Sequence, residues 1–162
     1  MIALALPAHQ VEPERAVVFG IVLGVISFVV MAWFVNLLAA FLTLLPQEHD
    51  GLKLRHALEP RHETFRDDGF FDLCREHDVA VVFGDDDEFP CIDADTASFR
   101  YVRLQRMHEE VPTGYDDAAL DAFAERTKGW IANGEDAYIF MINGAKVRAP
   151  AAAAALQQRL LV

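Results

Sequence analysis

The chain reads as an α/β protein with four parallel βα units, a partial (half) β/α barrel, preceded by a long apolar helix. Three observations predict this. Beyond residue 46, apolar runs of strand length alternate with helix-period segments in the order β-α-β-loop-β-α-β-α, and such alternation implies parallel strands joined by right-handed crossovers. These units fit within residues 47–162, whereas a complete barrel takes roughly 250 residues, so a closed eight-stranded barrel cannot be built from them. Before them, residues 16–46 contain no charged side chain.

Each element has its own warrant. Residues 1–15 are a short mixed tail with Pro7 and Pro13, residues 16–46 an apolar helix, and residues 47–162 the half barrel. Within the helix, Ala16–Val35 matches the ~20 residues that cross a bilayer. More Lys and Arg follow it (Lys53, Arg55, Arg61) than precede it (Arg15), which predicts a membrane-associated protein with a cytoplasmic carboxyl-terminal domain. The alternative is a buried helix of a cytoplasmic protein, or a start region not native to the domain. Leu54–Glu59 reads as the first strand. Asp67 and Asp68 open a helix whose Phe70, Leu73, Cys74 and His77 keep the i, i+3, i+4, i+7 spacing. Val79–Gly84 and Ser98–Leu104 are further strands. A second helix runs from Asp116 to Asn133 around Leu120, Phe123, Ala124, Thr127, Trp130 and Ile131, and Gly134 stands where a left-handed cap is wanted. Ala137–Ile142 is a continuous apolar run, read as a strand buried on both faces. Ala149–Leu161 is the last helix, with Pro150 in its first turn.

Composition narrows the function. At 162 residues the chain is one ordinary domain at most. A formal charge of −11 excludes nucleic acid, since no dense basic face exists to displace counterions. Cys74 and Cys91 stand in no zinc or CxxC spacing and read as reduced thiols of a cytoplasmic setting. The six histidines form no paired motif, and no serine or cysteine lies in a nucleophile elbow. No cofactor or metal is predicted. Asp85–Glu88 reads as a solvated acidic loop, because consecutive carboxylates cannot converge on one ion and the EF-hand spacing is missing.

Two places could hold an anion. After the Ala137–Ile142 run, Asn143 and Gly144 make a turn, and Lys146 and Arg148 reach the start of the last helix, where free N–H groups favour negative charge. Glu59, Arg61 and His62 follow the first strand at its carboxyl end. There Glu59 could act as a general base or orient His62, whose ordinary titration range suits proton transfer near neutrality. The bland reading is a Glu–Arg pair that fixes the loop. Arg103, a charge inside a strand, needs a carboxylate or an anionic ligand; Glu59 is its expected internal partner. Arg106 and His108 read as solvated loop residues.

Three stretches carry a resemblance: residues 38–46 (LAAFLTLLP), 57–65 (ALEPRHETF) and 96–104 (TASFRYVRL), continued by Tyr115, the Trp130 helix and Ala149-Pro150. From about Leu38 onward the chain resembles the carboxyl-terminal half of the domain of unknown function 72 family, also called YecE-like. That resemblance implies a TIM-type barrel of unestablished activity. The family's Gly-Thr-Ser-Gly-Trp opening half is absent. Its Val-Arg-Leu-His-Gly becomes Val102-Arg103-Leu104-Gln105-Arg106, its Tyr-Phe-Asn-Asn becomes Phe140-Met141-Ile142-Asn143, and an Asn often found in its last helix is Ala152. The expectation for this chain is a truncated, non-catalytic derivative, self-associating through exposed sheet edges and held at a membrane by residues 16–35. The alternative is an enzyme binding a small anionic metabolite through Arg61, Arg103, Asn143, Lys146 and Arg148, its site completed by another half barrel.

Overall fold

The computed structural model describes residues 13–142 and 144–161, and its compact units divide at Leu45/Pro46. In the first unit, helix α1 spans Pro13–Thr43, 31 residues. It presents Val17, Phe19, Ile21, Val25, Ile26 and Val29 to the outside. Its end tightens as Leu44 N donates to Phe41 O and Leu45 N to Leu42 O, and Pro46 cannot continue the ladder. The expected bilayer span over 16–35 is not supported: among the described residues no helix is long and apolar enough to cross a membrane. The membrane location drawn from that span loses its basis with it.

The second unit opens with a hairpin that the sequence reading overlooks. Strands β1 (Glu48–His49) and β2 (Leu52–Lys53) pair antiparallel. Asp50 and Gly51 join them at φ 51° and 78°, the left-handed pair that a two-residue hairpin turn needs.

Parallel structure follows. Strand β3 (His56–Leu58) pairs with β4 (Val79–Val81). Strand β5 (Phe83–Asp85) pairs with β6 (Phe99–Leu104), and β6 with β7 (Asp136–Met141). The sequence predicts one strand over 79–84, but the structure makes it two, β4 facing β3 and β5 facing β6, with Val82 between. Val82 N still donates to Leu58 O at 2.9 Å, so the first ladder runs up to the point where the second begins. The outcome is a mixed α/β unit with short parallel sheets.

Helices α2 (Asp68–Glu76), α3 (Asp117–Ala132) and α4 (Ala149–Leu160) stand close to their expected places. Asp67 caps α2 through Phe70 N at 3.0 Å, and Asp116 caps α3 through Ala119 N at 2.8 Å, contacts worth about 1 kcal/mol each. Gly134, at φ 86°, closes α3: its N–H reaches Ile131 O while Glu135 N reaches Trp130 O, the paired bonds of a Schellman cap. Val102 and Leu104 of β6 pack with Leu120 and Ala124 of α3 and with Ala152 and Leu156 of α4. Phe70 and Cys74 bury the inner face of α2.

Strand β7 departs from expectation. Its residues alternate between exposed and half-buried instead of being covered on both faces. Ile139 and Met141 pack against the core, whereas Tyr138 and Phe140 remain 43% and 41% exposed. A continuous apolar run hides this alternation, because both faces carry apolar residues and only one meets helices.

Candidate functional site

The uncovered face of the strands forms a basin of about 850 Å³, with Arg55, Glu59, Tyr101, Arg103, Tyr138 and Phe140 in its wall. The period-two geometry of extended chain puts these residues on one side: Ala57 within β3 with Arg55 and Glu59 just outside its two ends, Phe99, Tyr101 and Arg103 along β6, Tyr138 and Phe140 along β7. Parallel register sets Tyr101 beside Tyr138 and Arg103 beside Phe140. Tyr101 and Phe140 stack at 4.9 Å with 28° between their planes.

At the amino end, Arg55 lies one residue before β3 yet reaches β7. Its Nη1 donates to Tyr138 Oη at 2.9 Å and pairs with Asp136 Oδ2 at 2.6 Å. The guanidinium also lies 5.4 Å from the Phe99 ring and 5.7 Å from the Tyr138 ring. One side chain thus joins the outer strands across the basin.

At the carboxyl end, Arg103 Nη1 donates to Glu59 Oε2, and Arg61 Nη2 stands 3.3 Å from Glu59 Oε1. Glu59 and Arg103 are each 21% exposed at the side chain. Arg61 also covers the Phe89 ring at 4.7 Å. Both oxygens of Glu59 therefore face cations. His62 is used differently: its Nδ1 meets Thr64 Oγ1 at 3.0 Å and accepts from Thr64 N, capping the 3-10 turn Glu63–Phe65. The structure gathers Glu59, Arg61 and Arg103 and leaves His62 to a local role.

The second candidate place, ahead of α4, is largely occupied by its own backbone. Lys146–Arg148 form a 3-10 turn. Ala145 N donates to Met107 O at 3.1 Å, Lys146 N to Gly144 O at 2.9 Å, and Arg148 N to Ala145 O at 2.8 Å. The amide of Ala145 is therefore directed inward, away from any anion cradle. Arg148 Nε donates to Glu109 O at 2.9 Å, while Lys146 is exposed. Gly144 sits at φ 52°, where a Cβ would lie 2.7 Å from Met107 O, so glycine is required by close packing as well as by the turn. The expectation for Asn143 falls outside the described residues.

Sequence reasoning missed a buried cluster beside the basin. Asp85, read as part of a solvated loop, is 2% exposed. Tyr115 Oη donates to its Oδ2 at 2.9 Å, and Arg106 Nη2 donates to its Oδ1. Arg106, read as solvated, also reaches Asp87 Oδ1 at 3.2 Å, and its backbone N donates to Tyr115 Oη at 2.8 Å. Burial, then the Asp85 charge, push the Tyr115 phenol up, and the hydrogen bond to Asp85 raises Arg106 further above its ordinary value. The strand-then-acid word 79–85 was the available signal, since the last residue of a strand rarely points to open water when a core follows. Arg100 was missed as well: it pairs with Glu135, donates to Ala94 O at 2.9 Å and lies 5.6 Å over Trp130. Among the described residues no group of three or more His, Cys, Asp or Glu side chains could hold a metal ion.

The fold and site define a short-stranded parallel α/β unit with a basin of cations and aromatic rings, and name no reaction. The chain belongs to the family described as protein of unknown function DUF72, whose model matches residues 18–162. A short stretch of 39 residues is 54% identical to protoheme IX farnesyltransferase of Salinispora tropica, covering 24% of this chain and only 12% of that protein. No solved structure matches.

Proposed function

We propose that residues 46–162 are half of a β/α barrel that binds a small anionic ligand with a planar portion on its concave face and carries out no catalysis of its own. The observation behind this reading is the basin's charge. In a chain of net charge −11, its wall holds Lys53, Arg55 and Arg103 with Glu59 as the one carboxylate of the lining, and with Phe99, Tyr101, Tyr138 and Phe140 between them; Asp78 and Asp136 pair with Lys53 and Arg55 from outside the wall. Arg103 uses one guanidinium nitrogen on Glu59, and a guanidinium has five N–H donors, so an entering carboxylate or phosphate finds donors while its planar part lies on the Tyr101–Phe140 stack. Site placement at the carboxyl end of parallel strands follows the rule for such folds. The non-catalytic part rests on the two proton-transfer candidates: Glu59 has both oxygens against cations, and the His62 ring caps a turn.

Phenyl phosphate titrated into the full chain should saturate at millimolar concentration or below and shift the Tyr101, Arg103 and Phe140 signals together. Arg103→Met should weaken it at least about tenfold, the loss expected for a charge-assisted hydrogen bond, and Arg103→Lys should lose less. Equal responses from wild type and Arg103→Met, or none short of general salt effects, would sink the basin as a site.

A further inference from the structure

Resting on the half-barrel reading, we infer that a second copy of this chain is what closes the basin, each copy giving four strand positions to an eight-stranded barrel. Three features converge on that occupant. Among the described residues, β3 pairs only with β4 and β7 only with β6, so each has an outer edge free, and an unpaired edge invites another strand. All five of these strands run parallel. A two-fold axis along them brings β7 of one copy beside β3 of the other in the same direction, and repeats the match at the opposite seam, as an isologous interface requires.

Charge complementarity supplies the register. Arg55 stands immediately before β3 and Asp136 opens β7. Within one copy they pair across the concave face at 2.6 Å; across the seam, Arg55 of one copy and Asp136 of the other become neighbours on adjacent strands. The same two charges thus serve the open and the closed form, and each seam joins a cation to an anion despite the net negative charge of both copies. Closure would also cover Tyr138 and Phe140, the exposed aromatic residues of the outer strand β7. Eight strands is the number at which a barrel interior is just wide enough to hold side chains or one small ligand, and Arg103, Glu59 and their equivalents would then face one shared site.

This register places Ala57 of one copy beside Tyr138 of the other. Within a single copy two strand positions separate β3 from β7, so these residues are about three spacings of ~4.8 Å apart, beyond the roughly 7 Å a disulfide spans. Full-length Ala57→Cys and Tyr138→Cys variants, mixed in equal amounts and oxidised, should yield a covalent heterodimer whose peptide map joins positions 57 and 138. Wild type treated alike gives the background from Cys74 and Cys91. Native mass should show a dimer whose population rises with concentration. A monomer at every concentration overturns the inference, and so does a dimer cross-linked only elsewhere, since apolar α1 could associate by itself. Failure of the cross-link with the phenyl phosphate response intact removes the second copy alone; the cross-link without that response removes the ligand alone.

Discussion

Burial pushes the Cys74 thiol from its ordinary 9.0 up to about 11, with the nearby Arg75 charge opposing it. The group is 1% exposed on the inner face of α2, where a thiolate would have no water. Because the folded value lies above the unfolded one, the thiol's contribution to stability is present in full below about pH 9 and is lost as pH rises through 11. Alkylation of Cys74 by iodoacetamide at pH 8 should run at least about 100-fold slower in the folded chain than in the unfolded one, the thiolate fraction falling tenfold for each step of one from 9.0 to about 11; comparable rates would show the helix face to be open. Cys74 was legible in the sequence, since it shares a helix-period stripe with Phe70, Leu73 and His77. Arg106 was not. Its partners Asp85 and Tyr115 lie 21 and 9 residues away, and a loop arginine carries no local sign that a buried carboxylate waits for it. The Glu59–Arg103 pair was legible for the opposite reason: a charge inside a strand must be compensated, and few carboxylates follow a neighbouring strand.

At the level of elements, β4 shows how a strand can lack a neighbour and still be satisfied. On the side away from β3, β6 does not begin until Phe99. The Thr96 hydroxyl takes the strand's place: it donates to Val79 O at 2.9 Å and accepts from Val81 N at 2.9 Å, while only 3% exposed. Thr96→Val keeps the shape and strands one buried carbonyl and one buried N–H, so unfolding free energy should fall by about 2–4 kcal/mol. A change under about 0.5 kcal/mol in urea unfolding would mean that water replaces the hydroxyl. Helices α2, α3 and α4 were legible to within a residue or two because capping acids, apolar period and the terminal glycine agree, whereas α1, read over 16–46, stands at 13–43. The hairpin at 48–53 was overlooked although Asp50-Gly51 is a strong turn signal, because its strands are two residues long and carry no alternation to find. Ala137–Ile142 was legible as a strand but not as a one-sided one, since apolar residues occupy both of its faces.

For the molecule as a whole, the alternation of strands and helices was enough to give the α/β class, and the three motif stretches at 38–46, 57–65 and 96–104 gave the family, while the way the strands divide into short ladders at Val82 depends on curvature that no local pattern encodes. That curvature has a mechanical side. Arg55, holding Asp136 and Tyr138 from the far strand, acts as a tie rod across the foot of an arch. Its side chain is 37% exposed and that of Asp136 62% exposed, so the tie is a weak surface pair, open to screening by ions, whose reach falls from ~30 Å at 0.01 M salt to ~3 Å at 1 M. The arch should therefore relax by degrees as salt is added. Spin labels on Leu52→Cys and Asn133→Cys, on either side of the tie, should separate as salt rises over that range, and Arg55→Gln should give the wider spacing already at low salt; a distance indifferent to both would mean that the strands hold their bend unaided. If the spacing does respond, ionic strength sets the width of the cleft a guest must enter, and the domain behaves as a clamp with an adjustable jaw.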